Sequence, residues 1–294
     1  MTAIAGTIRG TRVAHDHPPR RGRWGRGMLG LLAWVVGFLF AIPALWMLLT
    51  SFHSESSAAT NPPSLFAPLT LNSWANFFGA NTGQSPWPYL INSAMASILS
   101  TLVVLALSIP AAYALSIRPV RKWSDVLFFF LSTKMLPMVA GLLPVYLIAK
   151  SAGLLDSVFL LIILYTSMNL PIAVWMMRSF LAEVPVEILE AASIDGASLF
   201  TMFRRIIIPI SAPGIAATSL ICFICSWNEL VFASVLTSTQ ATTAPVFLTS
   251  FVTSQGLFLA KVCAAAVGVS IPVLVAGFAA QDRLVQGLSL GAVK

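Results

Sequence analysis

The chain has 294 residues, of which 57% are hydrophobic and 9% charged, and its mean hydropathy is +0.87. A water-soluble protein of this length needs far more charge to cover its surface, so a soluble globular domain is excluded. The net charge of +7 does not point to nucleic acid either, because no aromatic-interleaved basic groove accompanies it.

Arg9, Arg12, Arg20, Arg21, Arg23 and Arg26 crowd a tail over residues 1–27. This segment has no folding pattern of its own. It is expected to be disordered, held in the cytoplasm, and able to lie against anionic lipid headgroups. The apolar run after it is long enough to span a bilayer and no small-residue cleavage site follows, which argues against a cleavable signal peptide.

Apolar runs of spanning length fall near 28–51, 88–116, 125–149, 156–180, 208–236 and 260–281. Lipid offers unpaired backbone groups no partner, so the runs predict helices. The fold class expected is all-α: a polytopic membrane protein with six transmembrane helices. Six spans put both termini on one side. With the N-terminus inside, Arg118, Arg121, Lys122, Arg178, Arg204, Arg205, Arg283 and Lys294 are also cytoplasmic, and only Lys134, Lys150 and Lys261 of the 17 basic residues fall elsewhere.

The segments 52–87 and 237–258 are then external. The first holds Asn61-Pro62-Pro63-Ser64 and Ser85-Pro86-Trp87-Pro88 around a short predicted helix over 71–78. The second holds Thr242-Thr243-Ala244-Pro245 and Ser254-Gln255-Gly256. Pro43, Pro110, Pro137, Pro144, Pro171 and Pro272 interrupt the spans. Each costs up to about 3 kcal/mol in a helix interior unless the freed carbonyl is satisfied. So many breaks suit kinked helices lining a gap that opens and closes better than a static anchor.

Lys134 and Glu229 are the ionisable residues deepest in apolar sequence, and Asn228 adds a polar neighbour. A charge at the bilayer centre costs roughly 2.5–3.5 kcal/mol on insertion scales, so these groups face protein or water. Two readings stand together: an interhelical hydrogen-bond network, or a translocation pathway lining or gate. Cys222 and Cys225, spaced to share a helix face, read as packing, as does Cys263. His15, His17 and His53 lie in tail or loop, so no catalytic or metal-ligating set is expected. No Gly-x-x-x-x-Gly-Lys-Ser/Thr loop is present, so the chain is not expected to hydrolyse ATP alone.

The 182–207 segment is polar between apolar runs. Pro185 favours a first helical turn, Glu187 to Ala192 continue it, and Gly196 supplies a left-handed stop. Ser198 can cap a second helix through Arg204 and Arg205, and Pro209 marks the return to the membrane. The product is a helix–turn–helix on the cytoplasmic face. Ala191 and Ala192 are small enough to enter a partner's groove, and Glu190 and Asp195 offer charge for orientation.

Glu190-Ala191-Ala192, Gly196, Ile206 and Pro209 fall at the spacing Glu-Ala-Ala, three residues, Gly, nine residues, Ile-x-Leu-Pro, with Ile208 in place of Leu. On these residues the segment resembles the "EAA" coupling loop of ABC-importer permeases. The resemblance covers roughly residues 88–294. Asn169-Leu170-Pro171, Trp175, Arg178-Ser179-Phe180, Val184-Pro185, Trp227-Asn228-Glu229 and the ending Gly287 to Lys294 resemble the carbohydrate subfamily, in particular its six-span maltose-type permease.

This resemblance implies a type I ABC-importer permease fold over 28–281, set in a bacterial inner membrane. It further implies a second homologous permease subunit, an extracytoplasmic solute-binding protein, and two cytoplasmic ATPase subunits that bind ATP and Mg, with no cofactor on this chain. The 282–294 tail either frays or contacts the ATPases through Gly287, Gly291 and Lys294. Thr242 to Phe247 and Gln281 to Lys294 look somewhat like polyol permeases for sorbitol or mannitol; disaccharides such as trehalose or maltose stay open. The alternative class, a secondary transporter driven by an ion gradient, calls for inverted repeats and ion-site carboxylates, and neither is read here.

Overall fold

A computed structural model describes residues 23–60, 66–80, 83–117, 120–253 and 256–292. Arg9, Arg12, Arg20, Arg21, Arg118, the Asn61 to Ser64 turn, Ser254, Gln255 and Lys294 lie outside the described residues. The first compact unit ends at Trp46 and carries most of helix α1 (Arg23–Thr50). Its large apolar side chains, Trp34 and Phe40 among them, are exposed, as suits a helix whose solvent is lipid.

The second unit, Met47–Lys294, begins with two short helices, α2 (Glu55–Ala58) and α3 (Asn72–Phe77), the latter where the sequence predicts one. Then come α4 (Trp87–Ser116), α5 (Trp123–Ser132) with a tight turn over Thr133–Met135, α6 (Met138–Ser151) and α7 (Val158–Leu181). Next are α8 (Val186–Ile194), α9 (Leu199–Met202), a widened π turn over Phe203–Ile207, α10 (Ile208–Ile210) and α11 (Ala212–Trp227). The chain closes with α12 (Val231–Leu236), α13 (Ala244–Thr249), a small hairpin of β1 (Val252–Thr253) and β2 (Gly256–Leu257), and α14 (Leu259–Ala292).

Among the described residues, four stretches are long and apolar enough to cross a membrane: Gly27–Thr50, Trp87–Ser116, Val158–Leu181 and Leu259–Asp282. Two further spans exist only as bent pairs, Trp123–Met135 with Met138–Ser151 at 87° and Leu199–Ile210 with Ala212–Trp227 at 79°. The run expected as one helix over 125–149 therefore turns sharply at Leu136-Pro137. Pro137 has no N–H to donate, and its ring drives Leu136 into extended backbone (φ −71°, ψ 128°). The run over 208–236 is likewise not continuous. It turns at Ser211, ends at Trp227, and restarts at Val231.

Conversely, the helices continue through Pro43, Pro110, Pro144, Pro171 and Pro272. Of the six, Pro137 alone marks a break; the other five sit inside their helices. α14 also runs past the expected limit of 281 as far as Ala292. Elongating a helix fixes one residue per new hydrogen bond, which favours continuation beyond a span.

α4, α7, α11 and α14 form the packed centre of this unit. Ser93, Ala96, Ser97, Ser100, Val104, Ser108 and Ala112 recur on one buried face of α4 at helical spacing. Lipid is as apolar as leucine, so helices associate through close packing of small residues rather than through hydrophobic burial. Gly214 of α11 shows the same economy of space: a Cβ there would lie 2.3 Å from the Phe180 ring.

Candidate functional site

The polar segment builds a surface from local rules. Val184-Pro185 leads in, with Pro185 as the extended residue flanking α8 (φ −60°, ψ 126°) rather than within its first turn. At the other end Gly196 takes φ +78°. Its amide donates to the Ser193 carbonyl (3.1 Å), and the Ala197 amide donates to the Ala192 carbonyl (2.9 Å). These two bonds make a Schellman closure, which needs a left-handed residue at that position. Ser198 then caps α9, its Oγ accepting from the Thr201 amide at 3.3 Å. The π turn precedes Pro209, which has no N–H for the Arg205 carbonyl and crowds it, a local cause for the wider turn.

The segment is two-faced. Leu189, Met202 and Ile207 are buried in one cluster with Ala112 and Tyr113 of α4 and Met177 and Leu181 of α7. Phe203 meets the Tyr113 ring at 4.9 Å between centroids. Glu190, Ala191, Asp195, Gly196, Arg204, Arg205 and Pro209 are exposed on this segment. Ala192 is half-buried against the chain's own cluster, so it anchors the loop inward, and Ala191 alone keeps the outward position expected of both. Two residues not singled out from sequence join the exposed face: Ile194 at 86% and Phe200 at 74% exposure. Large apolar groups bracketing a polar turn mark a surface that a partner covers; a hydrophobic residue on either side of Gly196 is the signal that could have found them.

A second feature lies at the break in the third span. A cleft of 550 Å³ is lined by Thr133, Lys134, Pro137, Ser167, Met168 and Phe232, among others. Lys134 is exposed, and its Nζ donates to the Met168 carbonyl at 2.7 Å. Glu229 is buried and serves a different end of the chain's geometry. Its carboxylate accepts from the Phe232 amide (2.8 Å) and the Ala233 amide (3.2 Å), capping the start of α12. Asn228 is exposed and donates to the Ile224 carbonyl of its own helix at 3.0 Å. Phe232 is the link between the two ionisable residues, since its amide meets Glu229 while the residue lines the Lys134 cleft.

The Lys134–Met168 bond ties the turn after α5 to α7, and a further interhelical network runs through Asn169. Its Nδ2 donates to the Tyr165 carbonyl and to Ser226 Oγ, both at 2.9 Å, and Ser226 Oγ meets Ser100 Oγ at 3.2 Å. Three helices, α7, α11 and α4, are joined this way. Cys222 is buried against Val104 and Ala173 whereas Cys225 is exposed, so the pair does not share one packed environment. Among the described residues no group of three His, Cys, Asp or Glu could hold a metal ion. Gly287 and Gly291 lie on the helical backbone of α14.

The family model for the inner membrane component of binding-protein-dependent transport systems matches residues 104–289. The chain belongs to that permease family. It is 38% identical over 270 residues to a probable ABC transporter permease protein, y4oR, of Sinorhizobium fredii, covering 92% of this chain and 96% of that one. It is 30% identical to the diacetylchitobiose uptake system permease protein DasC of Streptomyces coelicolor, over 94% of this chain and 99% of that one. The trehalose transport system permease protein SugB of Mycobacterium tuberculosis is 31% identical, with 88% and 94% covered.

In fold, the permease matches a chain of the crystal structure of a bacterial ABC transporter that imports the acidic polysaccharide alginate. The TM-score is 0.69 at 21% identity, over 90% of this chain and 99% of that chain. The permease is thus an ABC-transporter membrane component and not itself an enzyme. Family membership sets aside the ion-gradient alternative.

Proposed function

We infer that the permease forms half of the translocation pathway of an ATP-driven carbohydrate importer and couples to a cytoplasmic ATPase through residues 182–207. The observation that carries this reading is the two-faced coupling segment. Leu189, Ala192, Met202 and Ile207 root it on the ends of α4 and α7. Glu190, Ala191, Asp195, Gly196, Ile194 and Phe200 are left for a partner. A second, homologous permease completes the pathway, and two ATPase subunits bind ATP and Mg. An external solute-binding protein delivers the substrate, a reading supported by the alginate transporter's structure in complex with an alginate pentasaccharide-bound periplasmic protein.

ATP then biases a two-state equilibrium by binding one conformation better, and the seated loop passes that bias to α4 and α7. Lys134 and its cleft, at the bend of the third span, are the pathway lining in this reading. Glu229 holds the start of α12 in place, and Asn228 folds back on the end of α11. Both termini are cytoplasmic, and the 282–294 end lies on the ATPase side. Relatives named for diacetylchitobiose and trehalose uptake support a sugar cargo, with a polyol such as sorbitol or mannitol as the competing class.

The test is ATP hydrolysis by the complete complex with its binding protein, presented in turn with disaccharides and polyols. A sugar should stimulate hydrolysis; a complex stimulated by no carbohydrate overturns the cargo class.

A further inference from the structure

Asp156 sits just before α7 with φ +55°, a left-handed conformation uncommon for a residue with a side chain. Its carboxylate gathers the loop that follows α12. Oδ1 accepts from the amides of Ser238 (2.9 Å), Gln240 (3.2 Å) and Ala241 (3.0 Å). Oδ2 accepts from the Thr239 amide and hydroxyl (3.0 Å each), the Gln240 amide (3.0 Å) and the Ser238 hydroxyl (2.9 Å). The Asp156 amide donates to the Leu236 carbonyl at 2.8 Å.

Successive amides aimed at one point form an anion-binding concavity, here filled by the protein's own carboxylate. Burial pushes this carboxyl's pKa up, but the amides of Ser238, Ala241, Gln240 and Thr239 outweigh it and hold the group well below the usual carboxylate range. The same loop is held from α4. Asn92 Nδ2 donates to the carbonyls of Gln240 (2.7 Å) and Thr242 (3.0 Å), and Ser93 Oγ accepts from the Ala244 amide at 2.8 Å.

α4 and α7 therefore carry a clasp on the 237–244 loop at one end and the coupling-loop cluster, through Ala112, Tyr113, Met177 and Leu181, at the other. Along α4, Asn92 and Ala112 stand about 30 Å apart at the helical rise. We propose that Asp156 is a positioning residue for transport, binding the 237–241 loop to the α4–α7 pair so that both ends of the permease move as one body. This rests on the coupling role given above to residues 182–207. Without the carboxylate, four amides and two hydroxyls lose their acceptor. Asn92 and Ser93 then retain only the 240–244 part, and a displacement passed along α7 no longer reaches the loop.

The test compares wild type, Asp156→Ala and Asp156→Asn in the assembled importer, reconstituted in lipid nanodiscs. Hydrolysis without binding protein should stay within about twofold of wild type. Stimulation by sugar-loaded binding protein should fall at least about fivefold in both variants. Asp156→Asn keeps the shape of the side chain but turns an amide donor toward amide donors, so it decides the matter if Asp156→Ala fails to assemble. Hydrogen exchange gives a second readout that needs no ATPase: amides 238–241 should be protected in wild type and exchange at least about tenfold faster in Asp156→Asn, with α7 unchanged. Wild-type stimulation in the variants, or rapid exchange at 238–241 in wild type, overturns the proposal. A wild-type complex that no loaded binding protein stimulates counts against the proposed function instead, and leaves the exchange result to judge the clasp.

Discussion

Gly196 offers the sharpest perturbation, because the structure separates the two things a side chain there would do. The backbone cost follows from φ +78°. A left-handed conformation costs an ordinary L-residue roughly 1–2 kcal/mol; Asp and Asn fall at the low end and a β-branched residue at the high end. The steric cost inside the chain is nil, since a Cβ at Gly196 meets nothing within 4 Å. The total is therefore about 1 kcal/mol for Gly196→Asp and about 2 kcal/mol for Gly196→Val. A loss of that size leaves the permease folded and inserted, lowering Tm by a few degrees. Coupling should fare worse, because the new side chain projects from the exposed face and the strained Schellman closure shifts Asp195 and Ala197.

The assay measures membrane abundance and Tm in detergent, then ATPase co-purification and sugar-stimulated hydrolysis on the same preparations. Near-normal abundance with lost stimulation is expected for Gly196→Asp. Full-rate uptake by that variant refutes the coupling assignment. A Gly196→Val protein missing from the membrane refutes the claim that this position is free of internal contacts.

Gly214→Ala puts a Cβ 2.3 Å from Phe180 and should cost about 1–3 kcal/mol as overpacking, part of it recovered by adding Phe180→Leu; an unchanged Tm for the single variant defeats this account. Glu229→Ala removes the acceptor for the Phe232 and Ala233 amides and should destabilise the α12 start by about 1–2 kcal/mol, with Glu229→Gln milder. Transport abolished in Glu229→Gln at wild-type Tm would instead assign that carboxylate to a gate. A cysteine at Ser198, in a background lacking Cys222, Cys225 and Cys263, should resist impermeant thiol reagents in intact cells; labelling from outside reverses the topology. The folded-state pKa of Asp156 lies below its unfolded value, near 3.9, so its contribution is complete above about pH 5 and is lost only as pH falls further. Protection of amides 238–241 should accordingly be flat from about pH 5.5 to 8, and a midpoint in that window would contradict the clasp.

Much of this permease follows from short-range rules that a sequence states directly. Membrane residence, the helical class and the positions of the spans come from run length and the absence of any other partner for the backbone in lipid. The Gly196 closure and the Ser198 cap are equally local, because each depends on residues within a turn or two of itself. Tertiary structure alone decided the rest. Proline content suggests six interruptions, yet five of those helices run on and only Pro137 lies at an 87° bend.

Sequence leaves Glu229 between a hydrogen-bond network and a pathway charge, and only the fold shows α12 starting just beyond it and taking both its oxygens. Ala191 and Ala192 are indistinguishable by composition, and which of them faces outward depends on where α4 and α7 end beneath the loop. Asp156 carries no signal at all in sequence, since its partners lie 82 to 85 residues away. The physical reason is the same in each case. Local sequence fixes whether a backbone can be helical and where it must stop, whereas a polar side chain's role is set by whichever unsatisfied donor or acceptor the folded chain brings within about 3 Å of it.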